Sequence, residues 1–299
     1  MKKDINFAAF IMTYKRVSIL ETTIEKILNQ TYPPQKIVIV DNDPEKSASV
    51  VISKFPDYSI LYHSIGYNSG PAGAAKRGLE LLSYEGYQWI AWMDDDDPPI
   101  FSNTFEILLA VARLNKNCGC VGNVGQWFNF NNGMMRRVPD EELFKEGILE
   151  VDNIAGNMCK IINADVCRIN SIYPDDSLFF GFEELDFDLR MKKAGYTILV
   201  DRHFYKKHRE HFNRMNLNLQ KGLKKDSNRI WRDYYSLRNS LIILRKNHLY
   251  LATFLTLLRS LIKIFSGFRF GVNYGIKNTT IVLKALLHFV TLKKGKIDF

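Results

Sequence analysis

Four consecutive aspartates, Asp94 to Asp97, follow the apolar run Trp89–Met93 and precede Pro98 and Pro99. Carboxylates this close repel one another, so gathering them at the end of a buried strand calls for a counter-ion. Oxygen donors suit a hard divalent cation, and Mg²⁺ in particular is held by one or two carboxylates together with substrate phosphates. A run of acids is more often a solvated face, but the apolar strand in front and the turn-fixing prolines behind argue against that here. A second acidic group, Glu183, Glu184 and Asp186, opens a segment that closes at Gly195. A carboxylate there can act as general base toward a hydroxyl, although acids also favour the first turn of any helix.

The segments that must position these groups alternate in type. Phe7–Met12, Lys36–Val40, Ser59–His63 and Trp89–Met93 are short apolar or β-branched runs. Between them, Ser18 with Glu21 forms a capping-box pattern, and Pro71 is placed to start a helix through Leu82. Strand–helix alternation with continuous apolar strands predicts an α/β fold, a parallel sheet with helices on both faces. Asp41 and Asp94 both end strands, and open parallel sheets collect ligands at the carboxyl ends of their strands. From Ser102 to Val200 the pattern is mixed: a helix over Ser102–Arg113, strand-like pieces in Cys120–Phe130, the acidic helix, then a strand over Tyr196–Val200. Trp127 and Phe128 read equally as an acceptor platform or as core.

With 299 residues, 46% hydrophobic and 24% charged, the chain has the composition of a globular protein with a sizeable core. Its net charge of +9 is uneven: residues 1–199 hold 20 Lys and Arg against 27 Asp and Glu, and residues 200–299 hold 21 against 5. The basic part begins to read as long apolar helices near Arg229, with Arg245, Lys246, Arg259 and Lys263 interrupting. Amphipathic helices with basic faces fit an anionic membrane surface; packing on the rest of the chain or in a homodimer is the alternative. Nucleic acid is not expected as a partner. No run of about 18 uninterrupted apolar residues occurs, so a membrane-spanning helix is not expected, and no signal peptide is read at the N-terminus. The four cysteines, Cys118, Cys120, Cys159 and Cys167, form no CxxC pair and are expected to be reduced and partly buried, as in a cytosolic chain.

A DDxxD prenyl-transfer site would need an aspartate where Pro98 stands, and a dehalogenase-type phosphatase would need its DxD strand first in the domain. The ordered set FIMTYKR, QTYPPQKIVIVDND, NSGPAG, WMDDDD, FEELDFDLR, AGY and YYSLRN instead resembles glycosyltransferase family 2, the inverting transferases with the GT-A fold. The likeness is nearest to bacterial galactofuranosyl- and rhamnosyltransferases of cell-surface glycan assembly, and runs from about Phe7 to Asn239. It implies a GT-A domain over residues 1–228, with a nucleotide-sugar half to about residue 100 and an acceptor and base half after it. A basic helical region, 229–299, follows.

By the same resemblance, Thr13 and Asp41 grip the nucleoside, and Gly70 and Arg77 belong to the donor-binding segment, where a helix N-terminus suits a diphosphate. Asp94 and Asp95 face the donor; Asp94, Asp96 and His208 hold Mn²⁺ or Mg²⁺, with Asp97 supporting. Glu184 is the general base, with Glu183 next; the family's acidic motif has aspartates at these positions. Asp186, Trp127 and Phe128 lie on the acceptor side. The activity implied is metal-dependent transfer of a sugar from a UDP- or dTDP-linked donor, UDP-galactofuranose or dTDP-rhamnose, to a lipid-linked or surface glycan. The protein would be cytoplasmic and peripheral on the inner face of the cell membrane. A nucleotidyltransferase making a nucleotide sugar and a non-enzymatic membrane-binding protein are the other readings.

Overall fold

The computed structural model describes residues 5–216 and 229–298; the boundary expected at residue 228 lies outside them. The first half follows the expected alternation: β1 (Phe7–Thr13), α1 (Val17–Leu28), β2 (Ile37–Asp41), β3 (Ile60–Ser64), α2 (Gly70–Tyr84), β4 (Trp89–Asp94), α3 (Thr104–Leu114) and β5 (Cys118–Val121). A two-stranded ribbon, β6 (Gln126–Asn129) with β7 (Met134–Arg137), comes next. It is followed by β8 (Ile148–Val151), β9 (Lys160–Asn163), α4 (Ala164–Asn170), α5 (Glu183–Lys193), β10 (Thr197–Asp201) and α6 (Arg202–His211). Three helices close the chain: α7 (Ile230–Lys246), α8 (Tyr250–Ser266) and α9 (Val272–Val290).

The main sheet has the order β3-β2-β1-β4-β9-β5-β10-β8. It is mainly parallel, as expected from the apolar strands, but β9 runs antiparallel to both β4 and β5, and β8 antiparallel to β10. An antiparallel strand needs no crossover helix, which is why the mixed texture of residues 102–200 belongs to the same sheet. Side chains alternate across it. Ala8, Phe10 and Met12 of β1 pack on one face with α2, α4 and α5, while Phe7, Ala9 and Ile11 meet α1 and α3 on the other. A methyl group at Gly78 would collide with the Phe10 ring, so glycine lets α2 lie close to the sheet. All four cysteines are buried and unpaired.

Two local expectations are corrected. The capping box does not form: Ser18 lies inside α1, and the residue ahead of the helix is Arg16, whose guanidinium has no acceptor with which to cap and instead reaches Asp95 and Asp96. The C-terminal apolar stretch is broken at His248, whose φ is +58°, and so forms α7 and α8. In addition, Tyr250–Phe270 does have the length and apolarity of a membrane-crossing helix (mean hydropathy 1.5), with 17% of its most apolar window buried.

Candidate active site

The carboxyl ends of β1 and β4 open into a cleft of about 700 Å³, within the range of pockets for small ligands. Thr13 and the four aspartates line it. So do Phe179, Phe180, Glu183 and Glu184, with Trp231, Arg232 and Tyr235 from α7 and with Lys296 and Ile297 from the C-terminal tail. The tail is pinned there: the Ile297 N–H donates to the Tyr235 hydroxyl at 3.0 Å and the Gly295 N–H to the Ser177 carbonyl at 2.6 Å.

Asp94, Asp96 and Asp97 each offer a carboxylate oxygen, and the three oxygens lie within 4.8 Å of one another. Burial, then the charges of Glu184, Asp96, Asp95 and Asp97, push the Asp94 carboxyl up to about 8. Excess negative charge on oxygen-only donors is what a divalent cation would neutralise, so these residues fit Mg²⁺ or Mn²⁺. Asp95 is differently placed. It is buried, receives the Thr13 hydroxyl at 2.7 Å and pairs with Arg16 at 3.2 Å, and its main-chain carbonyl receives the Thr23 hydroxyl at 2.5 Å. Burial raises its carboxyl to about 6, while Thr13 and Arg16 pull the other way.

Glu183 and Glu184 begin α5, just after a strained loop in which Phe179, Gly181 and Phe182 have φ of +62°, +79° and +68°. A non-glycine residue in this region costs on the order of 1 kcal/mol or more and persists where its surroundings over-determine it. Here the surroundings are two buried residues of α7. Asn239 donates to the carbonyls of Leu178, Phe180 and Gly181 at 3.0, 3.0 and 2.8 Å, and Arg238 donates to Leu178 at 2.9 Å. Glu184 accepts the Gly156 N–H at 3.1 Å. The loop carrying Gly156 is held in turn by Asp188, which accepts the Ile154 N–H at 2.9 Å and pairs with the fully buried Lys160 at 2.6 Å. Glu183 is buried, and its Oε2 has no hydrogen-bond partner. Burial, then repulsion from Glu184, pushes its carboxyl well above the usual range.

Of the residues expected in the site, Thr13, Gly70, Asp94, Asp95, Asp96, Glu183 and Glu184 line this one cleft. Asp41 does not. Its carboxylate is consumed by the Asp43 and Ala48 N–H groups at 2.8 and 3.2 Å and the Tyr62 hydroxyl at 2.9 Å, and its neighbour Asn42 lines the cleft instead. Arg77 donates to His63 at 3.0 Å along an adjoining cavity of about 820 Å³ that shares Asn68, Phe179 and Lys296 with the cleft. His208 is buried in α6 with its ring against Phe212, outside both the cleft and the aspartate cluster. Burial, then Arg214 and His211, lowers its pKa to about 4. Asp186 is buried and paired with Arg190 and Lys246 at 2.8 and 2.9 Å. Phe128 packs in the core against α5, α7 and α8, and the Trp127 indole donates to the Glu150 carbonyl at 3.1 Å, so neither lines the cleft. The aromatic wall is built by Phe179, Phe180, Trp231 and Tyr235. The aromatic runs LFFGF and IWRDYY carried that signal in the sequence.

The family model described as Glycosyl transferase family 2 matches residues 8–161, just over half of the chain. The galactofuranosyltransferase GlfT1 of Mycolicibacterium smegmatis is 22% identical over 198 residues, 62% of this chain and 65% of that protein. The Escherichia coli UDP-Glc:α-D-GlcNAc-diphosphoundecaprenol β-1,3-glucosyltransferase WfgD is 25% identical over 120 residues, 40% of this chain and 46% of that protein. The matches thus span less than two thirds of either relative. Among solved structures, the mannosyltransferase PcManGT of Pyrobaculum calidifontis, in complex with GDP-Man and Mn²⁺, superposes with a TM-score of 0.57 at 11% identity. That superposition covers 98% of this chain and 89% of the other, a likeness of fold.

Proposed function

Since the chain belongs to glycosyl transferase family 2, we propose that it moves a sugar, with inversion, from a nucleotide-diphosphate donor to an acceptor hydroxyl. The observation that carries this reading is the meeting of Asp94, Asp96 and Asp97 with Glu183 and Glu184 in one cleft. Asp94, Asp96 and Asp97 would hold Mn²⁺ or Mg²⁺, which when bound offsets the charge developing on a leaving diphosphate. Asp95, tied to Thr13 and Arg16, orients the aspartate turn. Glu184 takes the proton of the acceptor hydroxyl as its oxygen attacks the anomeric carbon. Burial and Glu184 hold the Glu183 carboxyl well above the usual range, which favours its neutral form beside the base. The partly exposed rings of Phe180 and Trp231 offer stacking faces to a sugar ring, with the buried Tyr235 packed behind them.

The donor favoured is UDP-galactofuranose, a choice supported by the relative GlfT1, with dTDP-rhamnose second. The acceptor favoured is a lipid-linked glycan, the class named for the relative WfgD. Support for a membrane-side location comes from α8, on which Leu251, Phe254, Leu258, Leu261, Ile262 and Phe265 are exposed along one stripe. The charges on α8 turn inward instead: Arg259 bonds the Asn132 carbonyl and Lys263 pairs with Asp233 at 3.1 Å. A helix tied to the protein by its charged face and apolar on the other suits a place along the lipid surface rather than across it.

The test is donor turnover with Mn²⁺ or Mg²⁺ across UDP- and dTDP-sugars, with lipid-linked and soluble glycan acceptors. Asp96→Asn and Glu184→Gln should each lower transfer by about 10²-fold or more; if both retain wild-type transfer, the reading is wrong.

A further inference from the structure

The aspartate run already has an internal counter-charge. Lys15, at φ +58°, turns the chain after β1 so that Arg16 lines the cleft. One guanidinium nitrogen lies 3.2 Å from Asp95 and another is bonded to Asp96. The two contacts are unequal. Asp95 is 1% exposed and is gripped by Thr13 and Thr23 as well. Asp96 is 44% exposed, and it is one of the three carboxylates of the candidate cation site. The end of Arg16 on Asp95 is therefore anchored, and the end on Asp96 faces solvent and competes directly with any ion gathered by Asp94, Asp96 and Asp97.

We propose that Arg16 is an exchangeable counter-cation: it holds Asp96 while the site lacks a divalent ion, and releases Asp96 but keeps Asp95 when the ion enters. The inference rests on the reading of Asp94, Asp96 and Asp97 as the metal site. Arg16 then sets metal affinity from within the site. The exchange opposes metal binding by the strength of an exposed ion pair, which corresponds to a factor of up to about five in affinity.

The experiment is a Mn²⁺ titration of the full chain without nucleotide, following free Mn²⁺ by electron paramagnetic resonance, for wild type, Arg16→Gln and Lys15→Gln. Lys15 is a neighbouring cation whose ion pairs, at 3.8 Å, are with Asp43 and Glu45. Arg16→Gln should tighten Mn²⁺ binding by about fivefold, and Lys15→Gln should stay within about twofold of wild type. The rise in melting temperature on adding Mn²⁺ should likewise be larger for Arg16→Gln, because tighter binding to the native state adds stability. Unchanged or weaker binding in Arg16→Gln overturns the exchange, as does equal tightening in Lys15→Gln, which would reflect net charge alone. Failure of the wild type to bind Mn²⁺ overturns the metal site itself and this inference with it.

Discussion

The side-chain amide of Asn239 donates to the carbonyl of Gly181 at 2.8 Å, joining a C-terminal helix to the strained loop two residues ahead of Glu183. With its further bonds to Leu178 and Phe180, this one buried side chain compensates the left-handed backbone of that loop. Asn239→Ala should cost about 2–3 kcal/mol by leaving buried carbonyls unpaired and should reduce kcat at least tenfold while leaving Mn²⁺ affinity unchanged. Chemical denaturation together with steady-state kinetics checks it. Wild-type kcat in a folded Asn239→Ala variant would show that the loop needs no such support.

The two adjacent glutamates should separate by protonation state. Burial and Glu184 push the Glu183 carboxyl well above the usual range, so Glu183→Gln, isosteric with a protonated carboxyl, should keep kcat within about tenfold. Glu184→Gln removes the base and should lower kcat by roughly 10²–10⁴-fold. Both should retain donor binding, measured by thermal shift. The opposite ranking would exchange the two roles.

The exposed stripe on α8 should carry membrane attachment. Phe254 and Phe265 are 62% and 75% exposed, so the double variant Phe254→Glu, Phe265→Glu should melt close to wild type, surface changes being worth about 0.5 kcal/mol or less each. It should lose co-sedimentation with phosphatidylglycerol-containing vesicles. Undiminished vesicle binding by the variant would move the contact elsewhere.

His208 should report on stability at mildly acid pH. Its pKa is about 4 in the folded chain because of burial and the nearby Arg214 and His211, against about 6.5 unfolded. The neutral ring is favoured in the native state, so its contribution is whole above about pH 6.5 and is lost as pH falls toward 4, up to about 3 kcal/mol. Melting curves from pH 7.5 to 5 should fall less steeply for His208→Gln than for wild type. Parallel slopes would mean that this histidine protonates freely.

The scaffold, and the acidic residues at its ligand-collecting edge, were legible in the sequence. The apolar runs Phe7–Met12 and Trp89–Met93 became the strands Phe7–Thr13 and Trp89–Asp94 of the sheet, because burial on both faces demands continuous apolar side chains. The aspartates and glutamates at strand and helix ends came together because those ends share one edge of the fold. Tertiary structure alone decided which way each polar side chain faces. Asp41 ends β2 as expected, yet neighbouring N–H groups close on its carboxylate; Asp186 follows Glu184 by two residues, yet turns to Arg190 and Lys246. Position along an element limits orientation only by its period, whereas partners far away in the chain settle which groups are satisfied inside. The same holds for the wall of the cleft: Trp231, Tyr235 and Ile297 lie far from the aspartates in sequence and reach them through the packing of α7 and the tail, which no local pattern encodes.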